Sequence, residues 1–203
     1  MKPLIPPIIL ASKSPRRHQL LRDAGIPFRV MVKDLLEVYP EELSPPEIAA
    51  YLAELKASPF AEEAQSSLII AADTIVWDTT QLLGKPADRK DAIRILTQLS
   101  GRMHQVITGI HLHHQEWHHS FTETTNVYFK PLSIDQIEWY IDHFSVMDKA
   151  GAYGIQDWAG LTAVERIEGD FYNVMGLPVC RLVKEIETKF YLPFQSPNFN
   201  DTT

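Results

Sequence analysis

Ile8-Ile9-Leu10-Ala11-Ser12-Lys13-Ser14-Pro15-Arg16-Arg17 encodes a strand, a turn and the start of a helix in one short run. The apolar residues Ile8 to Ala11 read as a buried strand. Ser14 is a good N-cap, and Pro15 suits the first helical position. Leu20, Leu21 and Ala24 then supply a helical apolar face, and Gly25 is a stop signal. The two arginines fall in the first turn, where free N–H groups and the macrodipole already make the helix end positive. A bound anion, most simply a phosphate, would offset that arrangement. The alternative is that both side chains turn to solvent or pair with surface carboxylates.

The composition is that of an ordinary globular chain: 203 residues, 45% hydrophobic and 22% charged. This is enough for one domain with a sizeable core. A formal net charge of −7 argues against stable binding to nucleic acid or anionic lipid, so Arg16 and Arg17 stand out locally. The single cysteine, Cys180, allows no internal disulfide and fits a reducing compartment, here read as the cytoplasm. Its place after Pro178-Val179 suggests a small buried hydrophobe. The apolar N-terminus is interrupted by Pro3, Pro6 and Pro7 and reads as a lead-in to the first strand, not a signal peptide. No run is long enough to cross a membrane.

Further along, Phe28 to Val32 reads as a second strand, followed by Asp34 and Glu37. Ser44-Pro45-Pro46-Glu47 is a capping box opening a helix with Ile48, Leu52 and Leu55 on one face. Lys56 lies on the shoulder of that stripe, either snorkelling to water or reaching into a cleft. Leu68 to Trp77 is the most apolar segment and reads as a central strand. Asp73 interrupts it. A buried carboxylate needs a partner, so Asp73 is either ion-paired structurally or part of a site.

Lys85 sits between Gly84 and Pro86 after a turn. Asp88 caps a helix carrying Ala92, Ile95, Leu96 and Leu99. Two strands, about 105–113 and 121–129, carry or flank His104, His111, His113, His114, His118 and His119. Without clustered acidic or cysteine ligands, a solvated hairpin is preferred over a metal site. Ser133 to Gln136 is a second capping box. Asp148 to Asp157 is a small-residue loop whose two glycines allow close approach and whose Gln156 carries an amide suited to reading a base edge. Leu161 to Ile167 reads as a strand, Gly169 to Pro178 as a turn, and Pro178 to about Glu187 as a last helix. Residues 1–190 form a single domain in this reading, and 191–203 a loose tail.

Taken in order, Ser12 to Arg17, Ala72 to Val76, Gly84-Lys85-Pro86, Asp148 to Gln156 and Gly169 to Pro178 closely resemble the Maf family of house-cleaning nucleotide pyrophosphatases. The resemblance implies an α/β fold: an elongated mixed sheet with flanking helices and two lobes around a central cleft, like that of inosine-triphosphate pyrophosphatases. It implies hydrolysis of a nucleoside triphosphate to monophosphate and pyrophosphate with a divalent cation, Mg²⁺ or Mn²⁺. Asp73-Thr74 and Gly154-Ile155-Gln156 match the dTTP/UTP branch rather than the 7-methyl-GTP branch. By motif, Asp73 is the expected proton acceptor, with Lys56 and Lys85 as its catalytic companions. Ser12, Arg16, Arg17, Thr74 and Gln156 are the expected substrate contacts, and Glu37 with Asp73 the expected metal ligands. Leu36 stands where the family often carries a further carboxylate. A homodimer is the family expectation. The competing function is a non-catalytic nucleotide-binding regulator of cell division.

Overall fold

The apolar runs become strands in a computed structural model that describes residues 2–195. The strands are β1 (Ile8–Leu10), β2 (Arg29–Val30), β3 (Leu68–Trp77), β4 (Leu82–Leu83), β5 (Met103–His114), β6 (Trp117–Phe129) and β7 (Val164–Glu168). They form one seven-stranded sheet in the order β2-β1-β3-β5-β6-β7, with β4 paired to β3. β1 runs parallel to β2 and to β3, with Ile9 opposite both Arg29 and Ile69. The β3–β4 and β6–β7 pairs are antiparallel, so the sheet is mixed. The helices are α1 (Pro15–Asp23), α2 (Pro45–Ala57), α3 (Arg89–Leu99), α4 (Ile134–His143), α5 (Trp158–Thr162), α6 (Phe171–Met175) and α7 (Val179–Lys189). No helix among the described residues is long and apolar enough to cross a membrane.

The chain divides into two compact units. Unit 1 is Met1–Asp73, Gly109–Thr122 and Gly176–Thr203; unit 2 is Thr74–Thr108 and Glu123–Met175. The division falls inside β3, β5 and β6, so no single linker marks it. In unit 1, Ile9, Ala11, Ile69 and Ala71 pack with Ala57, Phe60 and Ala64. Gly109 lets α2 come close to β5, since a Cβ there would lie 2.1 Å from the Ala49 carbonyl oxygen. In unit 2 the α3 stripe Ala92, Ile95, Leu96 and Leu99 packs with Val76, Val106, Val127 and Tyr140.

Both capping boxes form: Ser44 with Glu47, and Ser133 with Gln136. Ser14 does take the N-cap position of α1, but its side chain makes no capping bond. Five expectations need correction. The run from Leu161 is not one strand, because the Asp157 side chain accepts from Ala159 N and opens α5, delaying β7 to Val164. The expected turn after Gly169 contains α6. Cys180 is exposed, because α7 buries Leu182 and Ile186 on another face. The hairpin histidines are not all solvated: His104, His111 and His113 are buried.

The fifth correction concerns the expected tail. Tyr191 N donates to Pro3 O (2.8 Å), Gln195 N donates to Gly25 O (2.8 Å), and Leu192 is buried. Paired backbone and a buried leucine do not make a loose segment. Residues 196–203 of that expectation lie outside the described residues.

Candidate active site

The chemistry-bearing residues of unit 1 come from four places in the chain. β3 carries Asp73 at its junction with unit 2, α2 carries Lys56 in its last turn, and the segment after β2 carries Glu37. Lys56 Nζ donates to Asp73 Oδ1 and lies 3.1 Å from Glu37 Oε2. The lysine and aspartate side chains are 20% and 13% exposed, and that of Glu37 is 50% exposed. So Lys56 does not simply snorkel to water. It joins two carboxylates that are distant in sequence, and Asp73 gains the partner that its burial demands.

The α1 entry supplies the rest of the unit 1 set. Ser12 is buried, and its Oγ accepts from Ser14 N (3.2 Å) and from Arg17 Nη1 (3.3 Å). Arg17 is only 8% exposed. Its Nε donates to Gly176 O (2.7 Å), and Nη1 also donates to Ala72 O (2.8 Å). Burial lowers the arginine's proton affinity, while Asp73 acts in the opposite direction. Arg17 thus braces the peptide immediately before Asp73. Arg16 is half-buried on the same turn. Lys13 pairs with Asp34 at 2.9 Å on the surface, and Leu36 is exposed.

Unit 2 holds the other three expected residues. Thr74 follows Asp73 on β3. Its Oγ1 lies 2.9 Å from Thr108 Oγ1. Lys85 is exposed. Gln156 lies in a loop whose shape is well determined. Gly151 has φ +72° and donates its N–H to Gly84 O (3.1 Å). A Cβ at Gly154 would crowd Gln156 Nε2 and Oε1, both at 3.1 Å, and Asp157 Oδ2 at 2.6 Å. Tyr140 clasps this loop: its hydroxyl donates to Asp157 Oδ1 (2.8 Å) and accepts from Gly154 N (3.1 Å). Burial is the main reason its proton affinity is raised.

Tyr140 and Asp157 are positioning groups that residue spacing did not single out. The one available signal was a polar-ended aromatic on an apolar helix face. An open groove in unit 2, lined by Asp135, Gln136, Trp139 and Trp158, contains none of the expected site residues.

The buried His111 and His113 form a separate group with the exposed His118. His111 Nδ1 meets Ser120 Oγ at 2.7 Å, its Nε2 meets His118 Nδ1 at 3.2 Å, and the His113 and His118 rings stack at 3.9 Å. Burial, then the neighbouring imidazoles, pull the His111 pKa down to about 4. No group of three or more His, Cys, Asp or Glu side chains among the described residues is arranged to hold a metal ion by itself.

Comparison with known proteins agrees with the motif order. The family model described as "Maf-like protein" matches residues 7–189. The chain is 50% identical over 183 residues to a dTTP/UTP pyrophosphatase of Cytophaga hutchinsonii, covering 90% of this chain and 84% of that one. It is 45% identical over 182 residues to a dTTP/UTP pyrophosphatase of Bacteroides fragilis, covering 89% and 94%. Among solved structures, a HAM1 protein from Coxiella burnetii aligns over 91% of this chain and 99% of its own, at 12% identity and a TM-score of 0.48. The match over nearly the whole length, together with relatives at this identity, shows that the chain belongs to the Maf-like protein family.

Proposed function

We propose that this chain hydrolyses dTTP and UTP to the nucleoside monophosphate and pyrophosphate, removing unwanted pyrimidine nucleotides before they are incorporated. One observation carries the reading. A chain 45–50% identical to dTTP/UTP pyrophosphatases brings Asp73, Lys56 and Glu37 together in unit 1. A binding-only regulator would not need a carboxylate and an ammonium held in contact in a partly buried site.

In this mechanism Asp73 is the general base. Lys56 engages Oδ1, so Oδ2 is the oxygen assigned to the water. The water oxygen attacks the α-phosphorus, and its proton passes to Asp73. The bond from the α-phosphorus to the bridging oxygen breaks, and pyrophosphate leaves with the electron pair. Lys56, Lys85 and Arg16 offset charge on the phosphates as it grows on the leaving group. Ser12 and Arg17 shape the turn against which the phosphates rest. Thr74, Gln156 and Arg16 select the base.

A divalent cation fits the unit 1 carboxylates. Glu37 and Asp73 already converge on one cationic group, the Lys56 ammonium. Two carboxylates without a third protein ligand suit Mg²⁺ or Mn²⁺, which takes its remaining ligands from substrate phosphates and water. Bound there, the cation would supply Lewis-acid polarisation of the phosphates. The net charge of −7 supports an enzyme that binds neither nucleic acid nor anionic lipid surfaces, and the single cysteine fits the cytoplasm; a homodimer is the assembly expected of the family.

The test is pyrophosphate release from a panel of nucleoside triphosphates with Mg²⁺ or Mn²⁺, and again with chelator. Release from dTTP and UTP that needs the cation, and falls at least about 100-fold in Asp73→Asn, supports the reading. Full activity in Asp73→Asn removes the base assignment. Saturable nucleotide binding without release from any substrate would favour the regulator.

A further inference from the structure

In unit 1 the hairpin of β5 and β6 sets imidazoles across from one another. His111 is buried on β5, and His118 is exposed on β6 near the turn. The pair contacts Ser120, His113 and each other, and none of these residues is assigned to hydrolysis. His111 Nε2 and His118 Nδ1 lie 3.2 Å apart, at the long end for an N–H hydrogen bond. The same separation nearly spans one tetrahedral cation. Two nitrogens each about 2.0–2.1 Å from such an ion lie about 3.3–3.4 Å from one another.

A cation needs a lone pair on both nitrogens. For His111 the ring proton must then sit on Nδ1, where Ser120 Oγ stands at 2.7 Å and a hydroxyl can accept it. A partner on the non-ligating nitrogen is what holds a metal-bound imidazole in its tautomer. For His118 the proton sits on Nε2, and the ring is exposed to water. His113 braces rather than ligates. Its Nε2 donates to the Gln115 main-chain carbonyl (3.1 Å), and its ring stacks on that of His118 at 3.9 Å. The stack limits the rotation of an otherwise exposed side chain. Burial holds the His111 pKa down to about 4, so its cationic form does not compete with a metal near neutral pH.

We propose that His111 Nε2 and His118 Nδ1 form a two-imidazole site for a divalent cation of the Zn²⁺, Ni²⁺ and Cu²⁺ class, with Ser120 holding the His111 tautomer. Imidazole nitrogen suits these ions, whereas carboxylate and water suit Mg²⁺ and Mn²⁺. The site is therefore chemically distinct from the Glu37 and Asp73 carboxylates. No third protein ligand is arranged there among the described residues, so water completes the coordination on the exposed side. An ion bound to the folded hairpin ties β5 to β6 and stabilises the native chain by mass action.

The test titrates Zn²⁺ into the untagged full chain near neutral pH, in a non-chelating buffer with Mg²⁺ in excess to occupy the carboxylates. Calorimetry reads the affinity, and nitrogen-resolved NMR of the imidazoles reads which rings respond. The expected result is saturable binding that shifts the His111 and His118 ring signals and raises Tm. His118→Gln should weaken it by at least about tenfold. That side chain is exposed, so the variant keeps the fold, and an unchanged Tm without Zn²⁺ verifies this. His143→Gln, which removes an exposed histidine of unit 2, should bind as wild type does. The proposal is overturned if Zn²⁺ does not saturate the chain in excess Mg²⁺. Equal affinity in His118→Gln overturns it too, as do ring shifts confined to other histidines.

Discussion

Replacing Arg17 by methionine separates bracing from substrate contact. The guanidinium donates to two main-chain carbonyls, Gly176 O at 2.7 Å and Ala72 O at 2.8 Å, and to Ser12 Oγ at 3.3 Å. Hydrogen bonds from a charged donor each contribute about 1.5–3 kcal/mol, and a buried carbonyl left without a donor costs about 1–3 kcal/mol. Against this, methionine fills similar volume without the cost of burying a charge, a cost visible in the lowered proton affinity of Arg17. The net loss expected for Arg17→Met is about 2–4 kcal/mol. For a chain of this length that corresponds to a Tm lower by about 5–12 °C. Urea unfolding should show the midpoint falling at constant m. Arg17→Lys should recover less than half, since a single ammonium does not reproduce a planar fork. A bracing role for Arg17 is refuted if Arg17→Met loses less than about 0.5 kcal/mol and the only change is a higher KM for dTTP. In that case the guanidinium serves the phosphates directly.

Two further expectations follow from the packing and the histidines. Gly109→Ala places a Cβ 2.1 Å from the Ala49 carbonyl oxygen, so α2 must shift; a loss of about 2–4 kcal/mol is expected in urea unfolding. The folded-state pKa of His111 is depressed to about 4 from an ordinary 6.5, so the folded form prefers the neutral ring. The stability this represents is present above about pH 6.5 and is lost as pH falls from there through 4. Unfolding free energy measured between pH 7 and 4 should therefore drop on acidification, and His111→Gln should flatten that slope; an unchanged slope would remove His111 as its source.

Much of the frame was legible in residue order. β3 runs from Leu68 to Trp77 as its apolar run predicts, because a long run of apolar residues has few places to go but a sheet interior. Both capping boxes formed because their partners lie three residues apart, within reach of local geometry alone. The boundaries that failed, from Asp157 to Val164 and within 169–178, are places where a single side chain decides whether a turn becomes a helix.

By itself, the sequence determined the α/β class, the family and the identity of the charged residues, since these depend on local periodicity and on motif order. Whether Lys56 met water or a carboxylate was decided only by the tertiary structure, which brings α2 to the end of unit 1's share of β3. It likewise turned Arg17 inward onto main-chain carbonyls and buried histidines that composition places in solvent. The same holds for Thr108 and Asn173, 65 residues apart, which meet through the Thr108 hydroxyl and the Asn173 main-chain carbonyl. A hydrogen bond's direction depends on which atoms meet in space, and contacts between residues this distant are encoded in no local pattern.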